Sequence, residues 1–244
     1  MAQNAPIGVV FDFDGTLSPK DCGYLIKIVD CACLSKSAKL RVERIRKKYL
    51  KLAAVGPVAP ALDRQMMKVS LSAYTECGLT PEQWKSALSQ VKLRKGVVEI
   101  AKGLVERGIK VGIISFGIAE FIESVLEVNG LAGVFHRIYA ARFIYDERCN
   151  EVVGWNNKSI VYPFNKCIWS SVFAKQYGIP PERLLAVGDS TGDRLLGVGQ
   201  KLRLGIAKNE EEAKILAPFM GDVVVTDDFH FVGEWINKKI SLIR

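Results

Sequence analysis

The chain reads as an α/β protein: a doubly wound, Rossmann-like parallel sheet core with an α-helical cap domain inserted into it. Three observations predict this. A short apolar run at 7–11 opens the chain as a buried strand and ends on two aspartates. From Gly96 onward, β-branched runs alternate with amphipathic stretches, the order that builds parallel sheets through right-handed crossovers. Between them, 18–90 has helical periodicity and no strong strand signal. The expected division is therefore 1–17 and 91–244 for the α/β core and 18–90 for the helical cap.

The first strand, 7–11, is rich in β-branched residues, and Gly15 marks its exit. Pro19 opens the helical segment. Apolar-periodic stretches follow at 25–34 and 38–52, Gly56-Pro57 and Pro60 interrupt them, and 62–77 and 81–90 resume. Thr80-Pro81-Glu82-Gln83 is a helix start, with proline at the first helical position. Within 38–52, Leu40, Ile45, Tyr49 and Leu52 are expected to share one face, leaving the basic residues on the other. A helix at 97–107 stops at Gly108, 109–114 is a strand, and a helix at 118–129 ends at Gly130. The runs 137–145 and 151–155 read as a hairpin. The series closes with a helix at 166–177 ended by Gly178, strands at 184–187, 202–206 and 222–225, a helix at 210–216 and a last helix from 229. There is no internal repeat and no low-complexity linker.

Composition narrows the function. With 244 residues, 49% apolar and 9% aromatic, the chain buries a real core and is not a disordered segment. No apolar run approaches the roughly 20 residues that cross a bilayer, and Met1-Ala2-Gln3-Asn4-Ala5-Pro6 lacks the regions of a signal peptide, so a cytoplasmic protein with no membrane partner is expected. Six cysteines without a Cys-x-x-Cys pair read as reduced thiols. Much of the net charge of +8 lies between Lys39 and Lys51. That stretch is a solvated helix face or an attractor of anionic substrate, and with no aromatic stacking pattern beside it nucleic acid is not an expected partner.

The chemistry lies at the strand exits. Asp12 and Asp14 end the first strand; Asp189 and Asp193 follow the strand at 184–187 in Gly188-Asp189-Ser190-Thr191-Gly192-Asp193. Open α/β sheets bind ligands at the carboxyl ends of their strands. An aspartate there also serves as a turn residue or helix cap. If the two strands are neighbours, the two acidic pairs converge, and converging hard oxygens suit Mg²⁺. Ser115 and Lys166 stand at a further strand exit and a helix start. A carboxylate can attack phosphorus, a lysine and a metal offset the repulsion, a hydroxyl and free backbone N–H groups hold phosphoryl oxygens, and a second carboxyl group moves the proton. Ser115 as a cap and Lys166 as a solvated surface lysine are the plainer alternatives.

In these four segments the chain resembles the phosphatase branch of the haloacid dehalogenase superfamily. Asp12-Phe13-Asp14-Gly15-Thr16, Ser115, Lys166 and Gly188-Asp189-Ser190-Thr191-Gly192-Asp193 match its four motifs, in its order. The resemblance implies an Mg²⁺-dependent phosphomonoester hydrolase with an aspartyl-phosphate intermediate. It assigns Asp12 as nucleophile, Asp14 as general acid and base with its carbonyl on the metal, and Lys166 as charge clamp. Ser115, with Phe116 and Gly117, binds phosphate, while Asp189 ligates the metal and Asp193 ligates or orients it. The helical segment between the first two motifs resembles the family's helical-cap class.

The partner is a small phosphorylated substrate, and two substrate classes compete. The interval from Lys166 to Asp189 is similar to that of phosphoserine phosphatases, and Asp21 falls where a cap glutamate reads the substrate amine in that group. Phe116 and Gly192 stand where those enzymes carry glycine and asparagine. The segments around Ser115, Lys166 and Asp189 are also similar to cytosolic pyrimidine nucleotidases, whose base would call for a stack on Tyr24, Tyr74 or Arg64. A phosphotransferase and a non-enzymatic phosphometabolite-binding protein are the remaining alternatives. Two histidines are too few for a histidine-rich metal site and leave few candidates for the base of a Ser-His-Asp hydrolase, Ser115 is preceded by Ile113 rather than the glycine of Gly-x-Ser-x-Gly, and there is no Gly-x-x-x-x-Gly-Lys sequence.

Overall fold

Strand β1 (Gly8–Phe11) is four residues long, wholly buried, and central in a six-stranded parallel sheet. The computed structural model describes residues 5–20 and 24–243. With β2 (Lys110–Ile118), β3 (Arg137–Ala141), β6 (Leu184–Gly188), β7 (Arg203–Ala207) and β8 (Asp222–Val225), the order is β3-β2-β1-β6-β7-β8. Phe11 pairs with Ile113 of β2 and with Val187 of β6. The residues that follow these three positions therefore leave the sheet side by side. The chain first builds outward from β1 on one side and then on the other, so β1 borders the switch point where open sheets place their ligand crevice.

Both faces of the sheet are covered, which is why its strands read as unbroken apolar runs. Val9 and Phe11 face a core shared with α5 (Val97–Glu106), α6 (Ala119–Val128) and α9 (His230–Ile243). Val10 faces the opposite core, built with Phe173 and Ala174 of α7 (Lys166–Tyr177). The short α8 (Glu210–Leu216) packs on β7 and β8.

Four helices lie between β1 and β2: α1 (Leu25–Cys33), α2 (Lys36–Ala53), α3 (Pro60–Glu76) and α4 (Pro81–Leu88). The expected start at Thr80 is realised, with the Thr80 N–H donating to Gln83 Oε1 at 2.9 Å. The α2 face differs from expectation. Its buried stripe is Val42, Ile45, Arg46 and Tyr49, whereas Leu40 and Leu52 are 58% and 44% exposed. Positions 42, 45, 46 and 49 follow the 3.6-residue repeat, and Arg46 is admitted because Asp30 of α1 pairs with it.

The run 137–145 is not one hairpin strand. Residues 137–141 extend the main sheet beside β2, while β4 (Phe143–Tyr145) pairs antiparallel with β5 (Val152–Trp155). The break falls at Arg142, whose N–H donates to Ser159 Oγ, followed by the Phe143 N–H to Glu120 Oε1. The β4–β5 hairpin docks on the helices: Phe143 packs against Tyr74, Trp84 and Phe121 with ring centroids 5.7–5.8 Å apart, and the Val152 N–H donates to Leu79 O. No helix among the described residues is long and apolar enough to cross a membrane.

Candidate active site

Asp12 leaves β1 with its N–H on Val187 O of β6, which fixes the first residue of the turn to the neighbouring strand. The turn closes on Phe13, whose carbonyl accepts from the N–H groups of Thr16, Leu17 and Ser18. Arg94, just before α5, binds the outside of this turn: its guanidinium donates to Gly15 O at 2.8 Å and to Asp227 at 2.9 Å.

The motif after β6 folds around Asp193. One carboxylate oxygen, Oδ2, accepts from the Asp189 N–H, the Ser190 N–H and the Ser190 hydroxyl, at 3.0–3.1 Å. The other accepts from Lys166 Nζ at 2.6 Å. Both oxygens are thus engaged, and Asp193 locks the loop to the first residue of α7. Lys166 is fully buried with its ammonium also 3.0 Å from Asp12 Oδ1. Burial pulls the ammonium down, yet Asp12 and Asp193 together outweigh it and hold Lys166 charged.

Asp189 is clamped from two sides. Thr16 Oγ1 donates to Oδ1 at 2.9 Å, and Lys20 Nζ lies 3.2 Å from Oδ2 and 2.8 Å from Glu212. Burial raises the Asp189 carboxyl, and Lys20 draws it back. Asp12 is raised well above its ordinary value, first by burial and then by repulsion from Asp193, with Lys166 opposing. Asp14 is raised to about 7, mainly by burial; its Oδ1 accepts from the Leu25 N–H, the first residue of α1, at 3.0 Å.

A divalent cation fits these residues. Asp12, Asp189 and Asp193 each offer an oxygen, all within 4.8 Å of one another and all buried. Asp12 Oδ1 is buried without a geometrically formed hydrogen bond, paired with the Lys166 ammonium 3.0 Å away. An all-oxygen set with excess negative charge suits Mg²⁺ rather than a nitrogen- and sulfur-seeking metal.

The sequence-derived residues meet in one cleft, which Asp12, Asp14, Ser115, Phe116, Lys166 and Asp189 line. Ser115 is buried inside β2, and the helix after it starts at Ala119 without a side-chain cap, so Ser115 does not cap it. A Cβ at Gly117 would stand 3.2 Å from Ser115 Oγ and 3.7 Å from Asp14 Oδ2, so the glycine leaves room between them. Asp21 lies outside the described residues. Tyr24 lines the cleft, but Tyr74 does not: it is fully buried with its hydroxyl on Asp30 at 2.6 Å. Arg64 stacks over Phe164 at 4.8 Å.

Residues 9–197 match the model of the haloacid dehalogenase-like hydrolase family, a stretch that contains every motif just described. The chain belongs to this family. Among its relatives, a phosphoserine phosphatase of Archaeoglobus fulgidus is 31% identical over 135 residues, which are 55% of this chain and 37% of that protein. The fold is similar to a structure described as a phospho-aspartyl intermediate analogue of phosphoserine phosphatase, with TM-score 0.69, 20% identity, and 96% and 100% of the two chains covered. It is equally similar to cytosolic 5'-nucleotidase IIIB bound to cytidine, with TM-score 0.70, 18% identity, and 96% and 87% covered.

Reasoning from the sequence missed three cations that brace this site, of which Arg46 alone lines the cleft. Lys20 and Arg94 carry no local signal, since their partners lie far along the chain. Arg46 had one: it is a cation on the same helical stripe as Val42, Ile45 and Tyr49.

Two expected results follow from the local packing. A Cβ at Gly188 would fall 2.4 Å from Cβ and Cγ of Asp193. Gly188→Ala therefore displaces Asp193 from Lys166, and turnover should drop by about a hundredfold, the cost of misplacing a site group by around 1 Å; kcat within threefold of the parent would reject this packing. Asp63 on α3 is buried, and burial raises its carboxyl to about 6 against the pull of the Tyr49 hydroxyl, Arg194 and Arg64. The folded chain keeps this proton from about pH 4 to about 6, where the unfolded chain has released it, so this group's contribution to stability declines as pH rises through that window. Asp63→Asn should remove up to about 1.4 kcal/mol per pH unit of that decline in urea unfolding. An unchanged slope between pH 4 and 6 would contradict the shift.

Proposed function

We propose that this chain is a phosphatase that hydrolyses small phosphomonoesters through a phosphorylated Asp12, with Mg²⁺ as cofactor and phosphoserine phosphatase-like chemistry. The observation that carries the reading is the buried Asp12 carboxylate, one oxygen without a hydrogen bond, facing Lys166 and the Asp189–Asp193 loop. Asp12, Asp189 and the Asp14 carbonyl would hold Mg²⁺, which supplies Lewis-acid stabilisation of phosphoryl charge. Asp193, with both oxygens engaged, orients the loop and Lys166.

Asp12 attacks phosphorus, forming an acyl phosphate as the bond to the ester oxygen breaks. Asp14, raised to about 7, gives its proton to the departing alkoxide. Water then attacks the phosphorus and yields its proton to Asp14, releasing inorganic phosphate and restoring Asp12. Lys166 and Ser115 hold the phosphoryl oxygens throughout. The helical segment 18–90 acts as the cap that selects the leaving group, and its first helix touches the acid directly through the Leu25 N–H on Asp14. Support comes from family membership and from the order and burial of the four motifs. The test is phosphate release from p-nitrophenyl phosphate with and without Mg²⁺. Release only with the metal is expected, and no release in either condition rejects the reading.

A further inference from the structure

Resting on that phosphomonoesterase reading, we infer that the preferred substrate carries a flat apolar ring one carbon from its phosphoryl ester, rather than a charged aliphatic chain. The cleft beyond the carboxylates is walled by Tyr24, Tyr49, Leu50, Val58, Met66 and Phe116. Phe116 and Ser115 are consecutive in β2 and both line this cleft, so the ring wall begins at the residue that follows the phosphate-binding hydroxyl. It is half-buried and braced on two sides: Tyr49 of α2 lies 6.0 Å away and Tyr162 lies 5.8 Å away, centroid to centroid. Tyr162 in turn stacks on Phe164 at 5.0 Å, with the Arg64 guanidinium over the far ring. A ring fixed in this way is a preorganised platform, and its remaining exposed surface favours another ring or an apolar group.

The charges point the same way. Two cations line the cleft among the described residues, Lys166 and Arg46. Lys166 is committed to Asp12 and Asp193. Arg46 is neutralised by Asp30, which also accepts the Tyr74 hydroxyl. A substrate carboxylate entering here would lose its hydration against apolar walls without an uncommitted positive charge to receive it. The Arg46–Asp30 pair still offers guanidinium N–H groups, which suit a neutral acceptor such as a ring nitrogen, carbonyl or hydroxyl.

Benzyl phosphate and O-phosphoserine test this cleanly, because both release a primary alkoxide and differ in what is attached to it. With Mg²⁺ present, kcat/KM for benzyl phosphate should exceed that for phosphoserine by roughly tenfold or more, the scale on which apolar pockets discriminate. It should also exceed that for cytidine 5'-monophosphate, whose ring lies beyond a sugar. Phe116→Leu and Tyr49→Leu should each lower the benzyl-to-seryl ratio severalfold, and the ranking by the parent protein stands without them. Phosphoserine or the nucleotide equal to or better than benzyl phosphate overturns the inference. A binding arm separates it from the reading beneath it: benzylphosphonate, which has no ester to cleave, should bind the Mg²⁺-loaded protein at least tenfold tighter than methylphosphonate by calorimetry. Such binding without hydrolysis of any ester keeps the ring preference and removes the hydrolase; equal binding of the two phosphonates overturns the ring preference whatever is hydrolysed.

Discussion

Asp12→Asn should lower turnover by at least about a thousandfold, the scale of losing a covalent nucleophile. The amide keeps the shape of the carboxylate but cannot carry the phosphoryl group as an acyl phosphate. The fold should survive, because Lys166 retains Asp193 at 2.6 Å and the Asp12 N–H retains Val187 O. The substitution also removes a buried charge that Asp193 and Asp189 repel. Circular dichroism and thermal unfolding close to the parent, together with lost phosphate release, are the expected pair of results. Near-normal turnover in carefully purified Asp12→Asn protein would eliminate the covalent route.

Removal of the metal should be as severe. After chelation, activity should fall to background and return with Mg²⁺, while Ca²⁺ should inhibit, since its shell of six to eight oxygens at about 2.3–2.6 Å misplaces the attacking carboxylate. An independent readout is thermal: Mg²⁺ should raise the unfolding temperature in proportion to the logarithm of its concentration above Kd. Asp189→Asn should blunt that rise. Full activity after exhaustive chelation would reject the assignment.

The parallel sheet and its strand exits were legible because strands buried on both faces leave continuous apolar runs, and Gly15 and Gly188 mark where they turn. The acids that converge could be named for the same reason: Asp12 and Asp189 stand one and two residues past such runs, and Asp193 follows in the same short loop. What was hidden depends on partners distant in sequence. Lys20 reaches Asp189 across 169 positions, and Arg46 earns its buried place only through Asp30. The run 137–145 reads as one strand because aromatic and β-branched residues recur on both sides of Arg142; the break there comes from Ser159 and Glu120, which no local pattern announces. Tyr74 looked like a cleft residue because an aromatic on a helix near a site reads the same whether its ring faces ligand or core.

The rings of Tyr74, Trp84, Phe121 and Phe143 bear on modularity. They belong to α3, α4, α6 and β4, so the four helices between β1 and β2 share one apolar seam with the body of the molecule. A segment joined by two linkers alone can be swapped as a cassette; this one cannot. Exchanging 18–90 by itself would strip Phe121, Phe143 and the β4–β5 hairpin of their cover, and a viable chimera would have to carry 143–155 along with the helices. Diversification of this surface is thereby steered toward α2 and the start of α3, which overhang the cleft through Tyr49, Val58 and Met66 and sit away from the seam. New specificities would then arise by substitution along that rim, with the seam inherited whole.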